Sequence, residues 1–391
     1  MKKLVFFATI FIVTHMSFAQ WERASGIGDR LVYSIRIIDN YLFAATDSGV
    51  YRSADGVNWQ LKINGMETSQ LNTRDFCKSG SYLYAASMAG LYTTTDYGDN
   101  WQLTNYPHPN YPAISIYAIN NIILASTTGG GLFRSSDSGN TWNPINGDNY
   151  WKYAMINGKL FASTYQDVSV SIDTGITWQS TDLNDWAYDL LNMNDTLLIT
   201  TFSHSIAETS SNTLNWSYLN LLQINSAVEF ATQSDTIFVC SKDSIYYFKN
   251  RNQPAHRFNL SGLNIFPDNQ LTCIEVFNDL LVVGTDNQNT FMGKGIWYFP
   301  LNSLTGLENL ETELKISAYP NPTSGVINLH LNDMNVTQID IFDILKQKVY
   351  SSENMGTTLS IDISQWSKGI YFIRATSKNG NIFFTGKIIK N

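Results

Sequence analysis

The sequence predicts an all-β chain built as a seven-bladed β-propeller followed by a smaller, separate β domain. Three observations carry that prediction. A turn-like box, S-x-D-x-G-x-T-W, recurs along the first half of the chain. A five-residue apolar lead-in recurs ahead of it with a period of about 40 residues. Past Pro300 the period is lost and alternating strands of another kind follow. Recurrence at a fixed period decides architecture before local propensity does, and short strands at such a period indicate propeller blades.

The chain opens with Lys2 and Lys3, an apolar run from Leu4 to Val13, and the small-residue triplet Ser17-Phe18-Ala19. Residues 1–19 read as a secretory signal peptide. The run is shorter than the ~20 residues that span a bilayer, so the expectation is an exported chain with no transmembrane segment. The net charge of −8 comes without any run of Lys or Arg, which argues against nucleic-acid or anionic-membrane partners. Three cysteines, Cys77, Cys240 and Cys273, are too few and scattered for a disulfide framework or a metal site. A Cys240–Cys273 bridge is conceivable; the alternative is three small buried hydrophobes.

The lead-ins begin at residues 42, 83, 123, 160, 197, 237 and 281, from Leu42-Phe43-Ala44-Ala45-Thr46 to Leu281-Val282-Val283-Gly284-Thr285. Each is a buried-strand pattern, and most are followed by a second short strand such as Gly131-Leu132-Phe133-Arg134. The boxes come next: Ser53, Asp55 and Trp59; Asp96, Gly98 and Trp101; Ser135, Asp137, Gly139 and Trp142; Ser171, Asp173, Gly175 and Trp178. Asp and Ser side chains hydrogen-bond turn backbone, Gly supplies positive φ, and Trp covers the hairpin. A fifth copy, from Ser210 to Trp216, keeps only its ends. The mature N-terminus, Gln20-Trp21-Glu22-Arg23, matches the strand that follows each box, yet no box precedes it. The seventh unit lacks that strand. The N-terminal strand is therefore expected to complete the last blade and leave no open edge.

The boxes resemble the Asp-box, or BNR repeat, family, in which the box is the turn between the two outer strands of a blade. That resemblance gives the domain 20–301 and makes Asp55, Asp96, Asp137 and Asp173 builders of turns. After a polar linker, 302–313, the segment 314–391 carries Tyr319-Pro320-Asn321-Pro322 with Gly325, a central Gly369-Ile370-Tyr371 strand and a basic last strand with Lys387. This segment resembles the type A C-terminal sorting domain of the type IX secretion system of Bacteroidetes-type bacteria. The resemblance implies a small Ig-like β-sandwich, recognition by the type IX secretion machinery, and delivery to the outer surface or the medium of a Gram-negative cell.

Chemistry would sit at the central channel. Aligning the innermost strands gives an apolar column, Ile35, Phe76, Ile116, Tyr153, Leu190, Phe230 and Ile274, expected to pack between blades. Beside it runs Ser34, Asp75, Ser115, Lys152, Asp189, Glu229 and Cys273, expected to face a water-filled channel. Asp75, Asp189 and Glu229 around Lys152 are the weak catalytic candidates, since glycoside hydrolysis needs two carboxylates at a set separation. Asp-box propellers include sialidases and xyloglucan hydrolases. However, Ser34-Ile35-Arg36-Ile37 is a poor echo of the sialidase motif, and no arginine triad is recognisable. Loop aromatics beside Asn and Asp suit a sugar or a peptide, which nominates Tyr106, His108, Tyr111, Tyr150, Lys152 and Trp186 for a ligand, with Trp151 and Tyr188 assigned to the core. No cofactor and no metal is expected, because the histidines lack ligand spacing. The sequence points to a binding scaffold for a glycan or protein. A glycoside hydrolase or lyase and an envelope assembly factor are the alternatives.

Overall fold

A computed structural model describes residues 20–391 except 108–110, 194, 211–213, 220–226, 250–254, 261, 264–269, 287–293, 302–316, 331–335, 345–346, 354–357 and 378–381. The signal-peptide and linker expectations, and His108, lie outside the described residues. The chain divides into two compact units, Met1–Ser303 and Leu304–Asn391.

The first unit holds seven four-stranded antiparallel sheets. Blades one to six span 32–61, 73–103, 113–146, 153–180, 187–218 and 227–257, with strands paired in chain order. At six of the seven junctions the first strands of successive blades pack side by side around the channel. In blade seven, Gln270–Phe277, Leu280–Asp286 and Ile296–Pro300 are joined by Glu22–Arg23 from the other end of the chain. Glu22 pairs with Tyr298 and Arg23 with Trp297. Trp21 anchors this clasp: it is 2% exposed, packs on Phe258 and Phe299, and donates through Nε1 to the Asn259 carbonyl at 3.1 Å.

Six of the seven innermost strands carry a bulge at the same place, skipping Tyr33, Arg74, Ile114, Tyr188, Val228 and Thr272 in the pairing with the second strand. A bulge re-aims the next side chain, so Ser34, Asp75, Ser115, Asp189, Glu229 and Cys273 are set by a shared local geometry. The lead-in strands are almost wholly buried, for instance Leu42, Phe43, Ala44 and Ala45.

The boxes form the turns between third and fourth strands. Ser135 Oγ donates to Asp137 Oδ1 at 2.8 Å and accepts from Gly139 N at 2.8 Å. Asp137 accepts from Thr141 N at 2.8 Å and Thr141 Oγ1 at 2.6 Å. Asp173 repeats this with Thr177, and Asp55 and Asp96 do the same with Asn58 and Asn100. These bonds to the charged form hold all four carboxyls down at about 2; for Asp55, burial pulls the other way. The residue before the glycine, Tyr97, Ser138 or Thr174, has φ near +57, and its carbonyl accepts from the preceding blade's Arg52, Tyr84 or Arg134. The boxes of blades two, three and four thus tie each blade to the one before.

The second unit has a three-stranded sheet and a four-stranded sheet around Ile327, Leu329, Ile339, Ile341, Ile361, Tyr371, Ile373 and Ile388. Its opening motif meets its last strand: Ile389 N donates to Asn321 Oδ1 at 2.8 Å, and Thr323 N to the Ile389 carbonyl at 2.9 Å. Pro320 and Pro322 flank that contact. The Gly325 carbonyl accepts from Ile363 N, and the Tyr371 hydroxyl donates to the Ser367 carbonyl. Gly369 opens the strand Gly369–Ser377, which pairs with Ile382–Lys390, placing Lys387 opposite Phe372.

Candidate functional site

Five charged side chains from bulged inner strands, Arg36, Asp75, Asp189, Glu229 and Glu275, meet Lys152, which directly precedes the unbulged inner strand Tyr153–Ile156. Arg36 lies 3.3 Å from Asp75 and 3.0 Å from Glu229, and Lys152 Nζ lies 2.7 Å from Glu229 Oε1. The same acids reach the next blade's backbone. Asp75 Oδ2 accepts from Ile116 N at 3.3 Å, Asp189 Oδ2 from Phe230 N at 2.9 Å, and Glu229 Oε2 from Ile274 N at 3.1 Å. At three junctions of the ring, then, the acid of one inner strand holds the amide of the next.

These contacts correct the expectation of solvated channel walls. Ser34, Asp75, Ser115, Asp189, Glu229 and Cys273 are all buried. Burial raises the Asp189 carboxyl, with Lys152 opposing. Burial also pushes Glu229 up, but Lys152 and Arg36 outweigh it and hold the group below its ordinary value. Both cations are raised despite their burial, by the carboxylates around them. Alternation along the strand carries Arg36 and Glu275 to the same side as Ser34 and Cys273, two residues on. Neither is among the candidates the sequence nominates for the channel. Glu275 is pushed up to about 7, first by burial and then by the charge of Glu229.

The cluster floors a cavity of about 590 Å³ whose lining includes Asp39 and Lys78 as well as Arg36, Asp75, Lys152 and Glu275. Asp39 directly follows the innermost strand Val32–Ile38, so the cavity opens at the turns joining first and second strands. The aromatic candidates lie at the other end of the inner strands, on the connections between blades. None of Tyr106, Tyr111, Tyr150 and Trp186 lines that cavity.

Among those aromatics, Tyr106 and Tyr150 are corrected to core residues. Tyr106 packs edge-on against Trp142 at 5.2 Å, and Tyr150 stacks on Trp178 at 4.6 Å. Tyr111 is half-exposed over Phe133. Lys152 is an ion-pair partner within the channel. Trp186 is 45% exposed. Trp151 and Tyr188, read as core, are partly exposed. Trp186 is joined by residues the sequence did not nominate. Tyr165 lies 5.6 Å from it and 4.9 Å from Trp151, while Phe202 lies 5.6 Å from its other side. Tyr165 and Phe202 sit in loops between second and third strands, which carry no repeating pattern to reveal them. All three cysteines are free thiols. No helix among the described residues is long and apolar enough to cross a membrane.

Comparison with known proteins separates the two units. A family model described as a secretion system C-terminal sorting domain matches residues 317–391. The chain carries that sorting domain. The sorting domain marks the chain for export by type IX secretion to the cell surface or the medium. A curated relative, the endo-acting ulvan lyase of Formosa agariphila, is 29% identical over 99 residues. That match covers 25% of this chain and 19% of the lyase, so the chain spans about a fifth of its relative's length. Among solved structures, YCF48 bound to D1 peptide superposes with a TM-score of 0.56 at 15% identity, over 74% of this chain and 97% of that one. The GH74 xyloglucanase from Xanthomonas campestris gives 0.53 at 12% identity, over 81% of this chain and 60% of that enzyme. At these identities the likeness is one of fold.

Proposed function

We propose that the chain is an exported, non-catalytic binding propeller that takes a glycan or protein ligand on its channel face. In this reading residues 1–19 are a removed leader and the boxes are Asp-box turns that build blades. One observation carries it. Asp75, Asp189 and Glu229 each hold the neighbouring blade's amide, and Arg36 and Lys152 form ion pairs with Asp75 and Glu229. A general acid or base must be positioned to give or take a proton at the substrate; these groups are committed to the ring instead.

A second reading, a glycoside hydrolase or lyase, draws on Glu275. An acid titrating near 7 beside a cavity suits proton transfer. Assay of the full chain on a panel of neutral and acidic polysaccharides, following new reducing ends and unsaturated products, separates the two. The expected result is no turnover, with or without Asp75→Asn, Asp189→Asn, Glu229→Gln or Glu275→Gln. Turnover that Glu275→Gln abolishes would establish the enzyme.

A further inference from the structure

We propose that blades four and five carry a binding strip for a neutral polysaccharide, built from Trp151, Tyr165, Trp186 and Phe202. The inference rests on the binding reading above and names its ligand class and location. The four rings run in an unbroken series across two blades at centroid separations of 4.9, 5.6 and 5.6 Å. Tyr165, Trp186 and Phe202 are 52%, 45% and 48% exposed. Large aromatics left in water as a contiguous row mark an interaction surface. None of the four packs into a hydrophobic cluster of the core. Successive rings meet at interplanar angles of 66°, 62° and 44°. The row is therefore a series of separate faces, suited to consecutive rings of a chain and not to one flat group.

The polar surroundings choose the ligand. Tyr165 is also a wall of a recess of about 460 Å³, whose lining includes Asp148, Asn149, Thr164, Gln166, Asp167 and Ser180. Carboxylates accept hydrogen bonds from sugar hydroxyls, amides and hydroxyls both donate and accept, and an apolar platform beside a few convergent polar groups is how small ligands are held. No Lys or Arg lines the recess. Asp148 and Asp167 there repel a uronate or sulfate, so the charge complementarity favours an uncharged glycan.

The test uses the full chain in affinity electrophoresis and tryptophan-fluorescence titration. The probes are mannan, laminarin and xyloglucan as neutral polysaccharides, alginate as the acidic one, and a pool of proline-rich peptides. Binding to at least one neutral polysaccharide and none to alginate is expected. Trp186→Ala and Tyr165→Ala should each weaken that binding by roughly tenfold or more. Both side chains are exposed, so melting temperatures should not move. Ile176→Ala, exposed on a box turn, serves as the control and should leave affinity unchanged. Preference for alginate or the peptides overturns the proposal, as does silence in every arm. Neutral-glycan binding that survives both substitutions also overturns the strip, while leaving the binding function itself standing.

Discussion

Glu275 concentrates the electrostatics of the channel in one side chain. An unfolded chain ionises it near its ordinary 4.5, whereas the native fold holds the proton to about 7. Between those values the native state binds a proton that the unfolded state has released. Its contribution to stability therefore falls as pH rises through that window and stays lost above it. Asp189, also raised by burial, acts in the same sense. The box aspartates, held at about 2, act oppositely and only in acid: their stabilisation is present above about pH 4 and is lost as pH falls through 2. Thermal melts at about pH 5 and about pH 8 provide the check. Glu275→Gln should shrink the drop in melting temperature between them, and an unchanged drop would show that the group is not protonated in the fold.

At the scale of the element, what was legible in the sequence was what every blade must repeat. Lead-in strands are buried on both faces, so they read as apolar runs. Box turns need an acceptor, a positive-φ glycine and a cap, so their chemistry is visible in Ser135, Asp137, Gly139 and Trp142. Features that depend on a neighbouring blade were not legible. Tyr106 and Tyr150 looked like rim residues because nothing local says that Trp142 and Trp178 will cover them. Arg36 and Glu275 were hidden for a similar reason, since their partners come from other blades. The clasp is the exception: a lone fourth strand at one end and a missing one at the other complete each other. Its energetic weight lies in Trp21. Trp21→Ala empties a site between Phe258 and Phe299 and should cost about 3–5 kcal/mol, read as a lowered urea midpoint.

For the whole molecule, two units divide the labour. The sorting domain supplies the destination, and its opening motif and terminal strand, distant in sequence, are bonded through Asn321 and Ile389. Ending the chain at Ser303 removes that unit while leaving all seven sheets intact. The truncated protein should fold with an undiminished melting temperature yet accumulate behind the outer membrane, as fractionation and surface proteolysis can show. Display at the cell surface without the tail would remove the sorting domain's role in export.

The clasp also fixes an order of events. Glu22 and Arg23 have no strand to join until Trp297 and Tyr298 exist beside them, so the earliest residues of the ring are among the last to settle. Everything between must wait as an open arc with a frayed seam. The address label lies beyond that seam, so a chain threaded from its amino end can shut its circle before the label is read.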